Sequence, residues 1–105
     1  MPTEANDENF ALLTNDGNVV VDFWGPRCQP CLALMPGVEA LEEEAGGSFR
    51  LVTVDASKNQ GVCRKLGVFS LPTFVLMKDG DELARLTGGH LTLNDLKSAI
   101  EAELA

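Results

Sequence analysis

Cys28 and Cys31 close the octet Trp24-Gly25-Pro26-Arg27-Cys28-Gln29-Pro30-Cys31, which directly follows the apolar run Val19-Val20-Val21-Asp22-Phe23. Two cysteines with two residues between them can form a small disulfide ring. A strand that turns at once into a helix places the pair at the helix N-terminus, where free backbone N–H groups and the positive end of the dipole favour a thiolate. This predicts Cys28 as nucleophile and Cys31 as resolving partner. The Cys28 thiolate would attack a substrate disulfide, and Cys31 would then attack the mixed disulfide, releasing reduced substrate and leaving Cys28–Cys31 oxidised. Arg27 adds a positive charge beside the nucleophile, turned either toward the sulfur or to solvent. A carboxyl in the middle of Val-Val-Val-Asp-Phe-Trp is expected to be buried, and desolvation raises its pKa, so Asp22 can take the Cys31 proton during resolution.

Two further residues have chemistry of their own. Cys63, beside Val62 and Leu66 on a predicted helix, reads as a small buried hydrophobe, and His90, after Gly88-Gly89, as an exposed loop residue. With Cys28 and Cys31 they formally complete a Cys3His metal set. Against that rival stand the single Cys-x-x-Cys and the apolar helix face that carries Cys63, and no metal is predicted.

The elements that must hold this chemistry follow from periodicity and punctuation. Residues 1 to 5 carry almost no strand signal, so any first strand there is short and an edge. Asn6 or Asp7 is predicted to cap a short helix bearing Phe10, Leu12 and Leu13, ended by the turn Asp16-Gly17-Asn18. Val19 to Phe23 reads as a central parallel strand covered on both faces. A helix from about Cys28 to Ala45 carries Leu34, Val38, Leu41 and Ala45 at helical spacing, with Pro36 predicted to kink it and Gly46-Gly47 to close it. Phe49 to Val54 is a second central strand, and Ser57 to Leu66 a short helix capped by Gly67. Thr73 to Met77 and Glu82 to Leu86 are strands joined through Lys78-Asp79-Gly80-Asp81, and Thr92 with Asp95 forms a capping box for a last helix striped by Leu93, Leu96, Ile100 and Leu104. The order (β)-α-β-α-β-α-β-β-α predicts a mixed sheet with helices on both faces.

The chain has 105 residues, enough for one domain with a core of its own. Sixteen acidic against eight basic residues give a net charge of −8, which argues against nucleic acid or an anionic membrane as partner. Three unevenly spaced cysteines do not make a secreted disulfide framework. The N-terminus Met-Pro-Thr-Glu-Ala-Asn-Asp-Glu lacks a basic and an apolar stretch, so neither signal peptide nor membrane span is expected, and the cytoplasm is the expected location.

Val-Asp-Phe-Trp at 21 to 24, Cys28-x-Pro30-Cys31, Pro36, Leu71-Pro72-Thr73, Gly80 and Gly88 together resemble the thioredoxin family, over nearly the whole length from Phe10 to Ala105. The resemblance implies an α/β thioredoxin fold in a single domain, 1–105, and a reductant of protein disulfides that needs no cofactor of its own. It also implies a monomer that takes disulfide-containing proteins as substrates and is recharged by a flavin-containing thioredoxin reductase. It assigns Cys28, Cys31, Asp22 and Pro72 to catalysis, and Trp24, Pro26, Arg27, Gln29, Pro30, Leu71 and Gly88 to substrate binding. It further implies a cis Leu71–Pro72 bond packed against the sulfurs, covering them against a metal and leaving the Leu71 backbone free for an extended substrate segment.

Four residues depart from the family pattern. Arg27 stands where a tryptophan is usual and Gln29 where a glycine is usual, which leaves the redox poise open between a reductase and a disulfide oxidase or isomerase. Leu32 replaces a common lysine and could join Trp24, Pro26 and Leu71 in an apolar rim, or tuck against its own helix. Thr53 stands where a lysine often pairs with the buried acid, so the proton path must differ. A non-catalytic adaptor is a further alternative, opposed by the retention of both cysteines with Asp22.

Overall fold

The computed structural model describes residues 2–104; Met1 and Ala105, the two ends of the expected domain, lie outside the described residues. Five strands and four helices alternate as β1 (Thr3–Ala5), α1 (Phe10–Thr14), β2 (Asn18–Trp24), α2 (Gln29–Glu44), β3 (Arg50–Asp55), α3 (Gln60–Leu66), β4 (Thr73–Lys78), β5 (Asp81–Thr87) and α4 (Leu93–Glu103). The sheet order is β1-β3-β2-β4-β5. β3 pairs in parallel with β1 and β2, whereas β4 runs antiparallel to both β2 and β5. The short edge strand at residues 3–5 is therefore present.

Strand alternation divides the core in two. Val19, Val21 and Phe23 point to the face covered by α1 and α3, with Phe10, Val62 and Cys63. Val20, Leu51, Phe74 and Leu76 point to the other, covered by Val38 of α2 and Leu96 of α4. By the same alternation Asp22 shares the Val20 side, beneath α2. The Thr92–Asp95 capping box forms in both directions, and the β4–β5 turn has Asp79 and Gly80 at φ 51° and 87°, the pair of left-handed residues that a tight hairpin requires. α2 continues as one helix through Pro36.

Local side-chain bonds set the starts of both α1 and α3. α1 spans Phe10–Thr14, and Asn6 caps the turn that leads into it as expected: Asn6 Oδ1 accepts from the N–H groups of Glu8 and Asn9, and Asn6 O from Phe10 N–H at 3.0 Å. Asp7 caps a helix elsewhere: its Oδ1 accepts from Val62 N–H at 2.7 Å, in the first turn of α3. α3 itself starts at Gln60, three residues late, because Asp55 Oδ1 folds Ser57 into a side-chain-closed turn by accepting from its N–H and hydroxyl. Local polar bonds thus compete with helix extension. The contact between Asp7 and α3 yields a test: Asp7→Ala is expected to lower stability by about 1 kcal/mol, as for loss of a helix cap, with Asp7→Asn retaining most of it. Denaturant unfolding of the three proteins measures this, and equal midpoints for all three would show that the cap contributes nothing.

Candidate active site

Cys28 is the N-cap of α2, in extended conformation, and Cys31 completes the first turn. The two are joined as a disulfide with Cα atoms 5.3 Å apart. Cys28 Sγ accepts from Cys31 N–H at 3.3 Å, so a helix N-terminal donor is aimed at that sulfur. Pro30 costs the turn nothing, since its missing N–H is one the first turn leaves unpaired anyway. The sulfurs are unequal in access: Cys28 is half-buried and Cys31 is 1% exposed.

Asp22, on β2 and on the sheet face beneath α2, is 1% exposed. Its Oδ1 has no hydrogen-bond partner among the described residues. Burial, with a smaller contribution from the Glu39 carboxylate on α2, pushes its pKa up to about 7. In the sheet register Asp22 lies beside Thr53 on β3 and Phe74 on β4. No cation faces it from either strand.

Leu71–Pro72 is a cis peptide bond. Leu71 is half-buried, and together with Pro26, Arg27 and Cys28 it lines a cleft of about 730 Å³. Among the described residues, neither the N–H nor the carbonyl of Leu71 bonds to other backbone, whereas Pro72 O accepts from Gly88 N–H at 3.1 Å. That bond ties the end of β5 to the cis-proline loop, and Gly88 sits at φ 119°, a conformation closed to L side chains, with the His90 ring where a Cβ would lie. Gly89 in turn lies against Pro30. The Cys-x-x-Cys turn, the cis-proline loop and the glycine pair after β5 therefore converge from three parts of the chain.

Pro26, Arg27, Gln29 and Pro30 are exposed around the pair. Trp24 is half-buried, its Nε1 enclosed and without partner among the described residues, and it does not line the cleft. Leu32 is 38% exposed and also stands outside the cleft, whose apolar lining includes Pro26 and Leu71. Cys63 is buried among apolar neighbours, and burial together with the nearby Asp7 carboxylate pushes its thiol pKa up, away from a reactive thiolate. His90 is exposed. Among the described residues no three His, Cys, Asp or Glu side chains are grouped to hold a metal ion, so the Cys3His set does not assemble. No described helix is long and apolar enough to cross a membrane.

Sequence reasoning missed Glu39, Ala56 and Ser57. Glu39 stands eight positions after Cys31 on α2, a spacing that returns to one helix face, so periodicity could have found it. Ala56 and Ser57 line the cleft opposite Leu71 from the end of β3, which only the sheet order brings close.

A cysteine pair at a strand-to-helix junction, one sulfur accessible and bonded by a helix N-terminal N–H, beside a cis-proline loop and following a strand that carries a buried acid, defines a thiol–disulfide oxidoreductase. A family model described as thioredoxin matches residues 2–102. Similar proteins include a thioredoxin of Bacillus subtilis (strain 168), 38% identical over 85 residues that make up 81% of this chain and 82% of that protein. A thioredoxin of Listeria monocytogenes is 34% identical over 88 residues, 84% of this chain and 85% of the relative, and one of Acetoanaerobium sticklandii 33% identical over 90 residues, 86% of each. The chain belongs to the thioredoxin family, and is a protein-disulfide reductase acting through a redox-active cysteine pair.

Proposed function

We propose that Cys28 is the attacking sulfur and Cys31 the resolving one. The inequality of access carries this reading, because a substrate sulfur can approach Cys28 from the cleft while Cys31 is covered. The Cys31 N–H that bonds Cys28 Sγ in the oxidised pair would stabilise the Cys28 thiolate in the reduced one. Attack on a substrate disulfide forms a Cys28–substrate bond and expels one substrate thiolate. Cys31, giving its proton to Asp22, then displaces the second substrate thiolate and closes the Cys28–Cys31 bond. Two electrons pass to the substrate, which leaves as a dithiol once its sulfurs are protonated.

Asp22 suits the proton transfer because a group with pKa about 7 both accepts and returns a proton near neutrality. Pro72 would shield the sulfurs, and the unpaired backbone of Leu71 would receive an extended substrate segment as an added strand, with Gly88 beside it. Trp24, Pro26, Arg27, Gln29 and Pro30 would form the surroundings that this segment meets. The oxidised pair must be recharged by two electrons, for which a flavin-containing thioredoxin reductase is the proposed donor. A free, buried Cys63 in a chain with a cycling cysteine pair suits a reducing compartment, and we place the chain in the cytoplasm as a monomeric, single-domain electron carrier.

Trapping separates the two sulfurs. Cys31→Ser is expected to accumulate covalent mixed disulfides with substrate proteins on non-reducing gels, and Cys28→Ser to accumulate none. Equal trapping by both variants would reverse or abolish the assignment.

A further inference from the structure

Phe69 is 84% exposed, more than any other large apolar side chain among the described residues, although the residues around it are fixed. Val68 before it is buried, and its N–H bonds Cys63 O at 2.8 Å. Arg85 donates to the carbonyls of Leu66 and Gly67, and Ser70 O accepts from the Thr73 hydroxyl at 2.7 Å. The ring is thus held out into solvent from an anchored loop. It overhangs a hollow lined also by Ala56, Arg64 and Leu71, and Ala56 and Leu71 line the cleft beside Cys28 as well. The two hollows form one groove that runs from Cys28 past Leu71 to Phe69.

The charge of this groove opposes that of the protein. Acidic residues outnumber basic ones sixteen to eight over the whole chain, yet no Asp or Glu lines either hollow, whereas Arg27 lines the first and Arg64 the second. Both arginines are exposed, and neither is paired with a carboxylate among the described residues. Unpaired guanidinium groups at each end of an apolar strip favour a partner that brings carboxylates flanking an apolar side chain. In an acidic protein such a strip also sets one orientation of approach, since the remaining surface repels the same partner.

We propose that this groove selects disulfide substrates whose reactive cysteine lies in an extended segment with an apolar residue near it, flanked by Asp or Glu. Leu71 lines both hollows and Phe69 only the second, so a segment that enters beside Cys28 passes Leu71 before it reaches Phe69. With the cysteine sulfur at Cys28, the apolar side chain meets Phe69, and the flanking carboxylates meet Arg27 and Arg64. The proposal rests on disulfide exchange at Cys28 and names the substrate class for it.

The test uses synthetic peptides with their single cysteine linked to a chromogenic aromatic thiol. The Cys28 thiolate takes the peptide sulfur and expels the aryl thiolate, the better leaving group, and Cys31 then releases the peptide as a thiol. One peptide carries a leucine and two glutamates, a second replaces both glutamates by lysine, and a third replaces the leucine by glycine. With reduced wild-type protein, the acidic leucine peptide is expected to react on the order of tenfold faster than the lysine peptide, with the ratio shrinking in concentrated salt. In Arg64→Glu that ratio should fall toward one or invert, and in Phe69→Ser the leucine-to-glycine ratio should fall. Ratios measured within one variant are independent of the amount of folded protein. Equal rates on acidic and lysine peptides, or ratios untouched by both substitutions, would overturn the groove. Failure of the wild type to reduce a small uncharged disulfide would instead overturn the exchange chemistry beneath it.

Discussion

Asp22→Asn is expected to make the protein more stable at pH 8, by up to about 4 kcal/mol, while leaving it no more stable at pH 3. The ordinary carboxyl pKa is 3.8 and the folded chain raises that of Asp22 to about 7. An unfolded chain therefore releases this proton from about pH 4 upward, while the folded chain holds it until about pH 7. Between these values the unfolded state binds fewer protons, so stability falls as pH rises, and above pH 7 the full penalty is present. Roughly three units at about 1.4 kcal/mol each set the upper limit. Burying an amide where Asp22 Oδ1 already lacks a partner takes back part of the gain. Denaturant unfolding of the oxidised proteins at pH 3, 5 and 8 tests this, and a difference between variant and parent that does not change with pH would contradict it. The same substitution should slow release of the mixed disulfide by on the order of a hundredfold near neutral pH, because an amide cannot take the Cys31 proton. An unchanged resolution rate would remove Asp22 from the proton path.

Thr53→Lys should move the same titration in the opposite direction. Thr53 is the residue beside Asp22 in the parallel register, and it is buried, so a lysine introduced there has the acid as its nearest partner. An opposite charge at that range lowers a carboxyl pKa by about 1–3 units. The folded-state value then approaches the unfolded one, and the loss of stability between pH 4 and pH 7 shrinks by about 1–4 kcal/mol. Resolution should then reach its full rate at lower pH, because Asp22 is already ionised there. Following the Asp22 carboxyl by NMR through a pH titration reads the shift directly. A midpoint still near 7 would mean that the new ammonium reaches out to solvent, and that the absence of a cation does not set the behaviour of this acid.

Most of the framework was legible because its signals are local. Val19 to Phe23 is apolar throughout because β2 is central and covered on both sides, and Asp22 is conspicuous for the same reason. The Thr92–Asp95 box and the Asp79-Gly80 turn need only neighbours in sequence, and both formed as expected. The late start of α3 involves Asp55, whose Oδ1 closes a turn on Ser57, and Asn59, which donates to Asp55 O and accepts from Asp7 N–H, polar residues with several possible partners. Asp7 bonds Val62, 55 positions away, and no local pattern announces that choice.

The site divides along the same line. Cys28, Cys31 and Pro30 identify themselves by type and spacing, since a helix start can tune a thiol with no help from distant residues. Asp22 was visible as a carboxyl that burial must perturb. Its particular surroundings were not, because Glu39, Thr53 and Phe74 reach it through helix packing and sheet register. The groove from Cys28 to Phe69 was invisible in sequence, where Arg27 and Arg64 are two unremarkable cations in an acidic chain. By itself, then, the sequence determined the reaction, because a dithiol and a buried acid require only their own chemistry and an apolar strand to carry them. Only the tertiary structure decided which sulfur is reachable, what sets the acid's proton affinity and which charges line the hollows beside Cys28. Access, desolvation and Coulomb interaction depend on distances between residues far apart in the chain, and those are fixed when the sheet assembles.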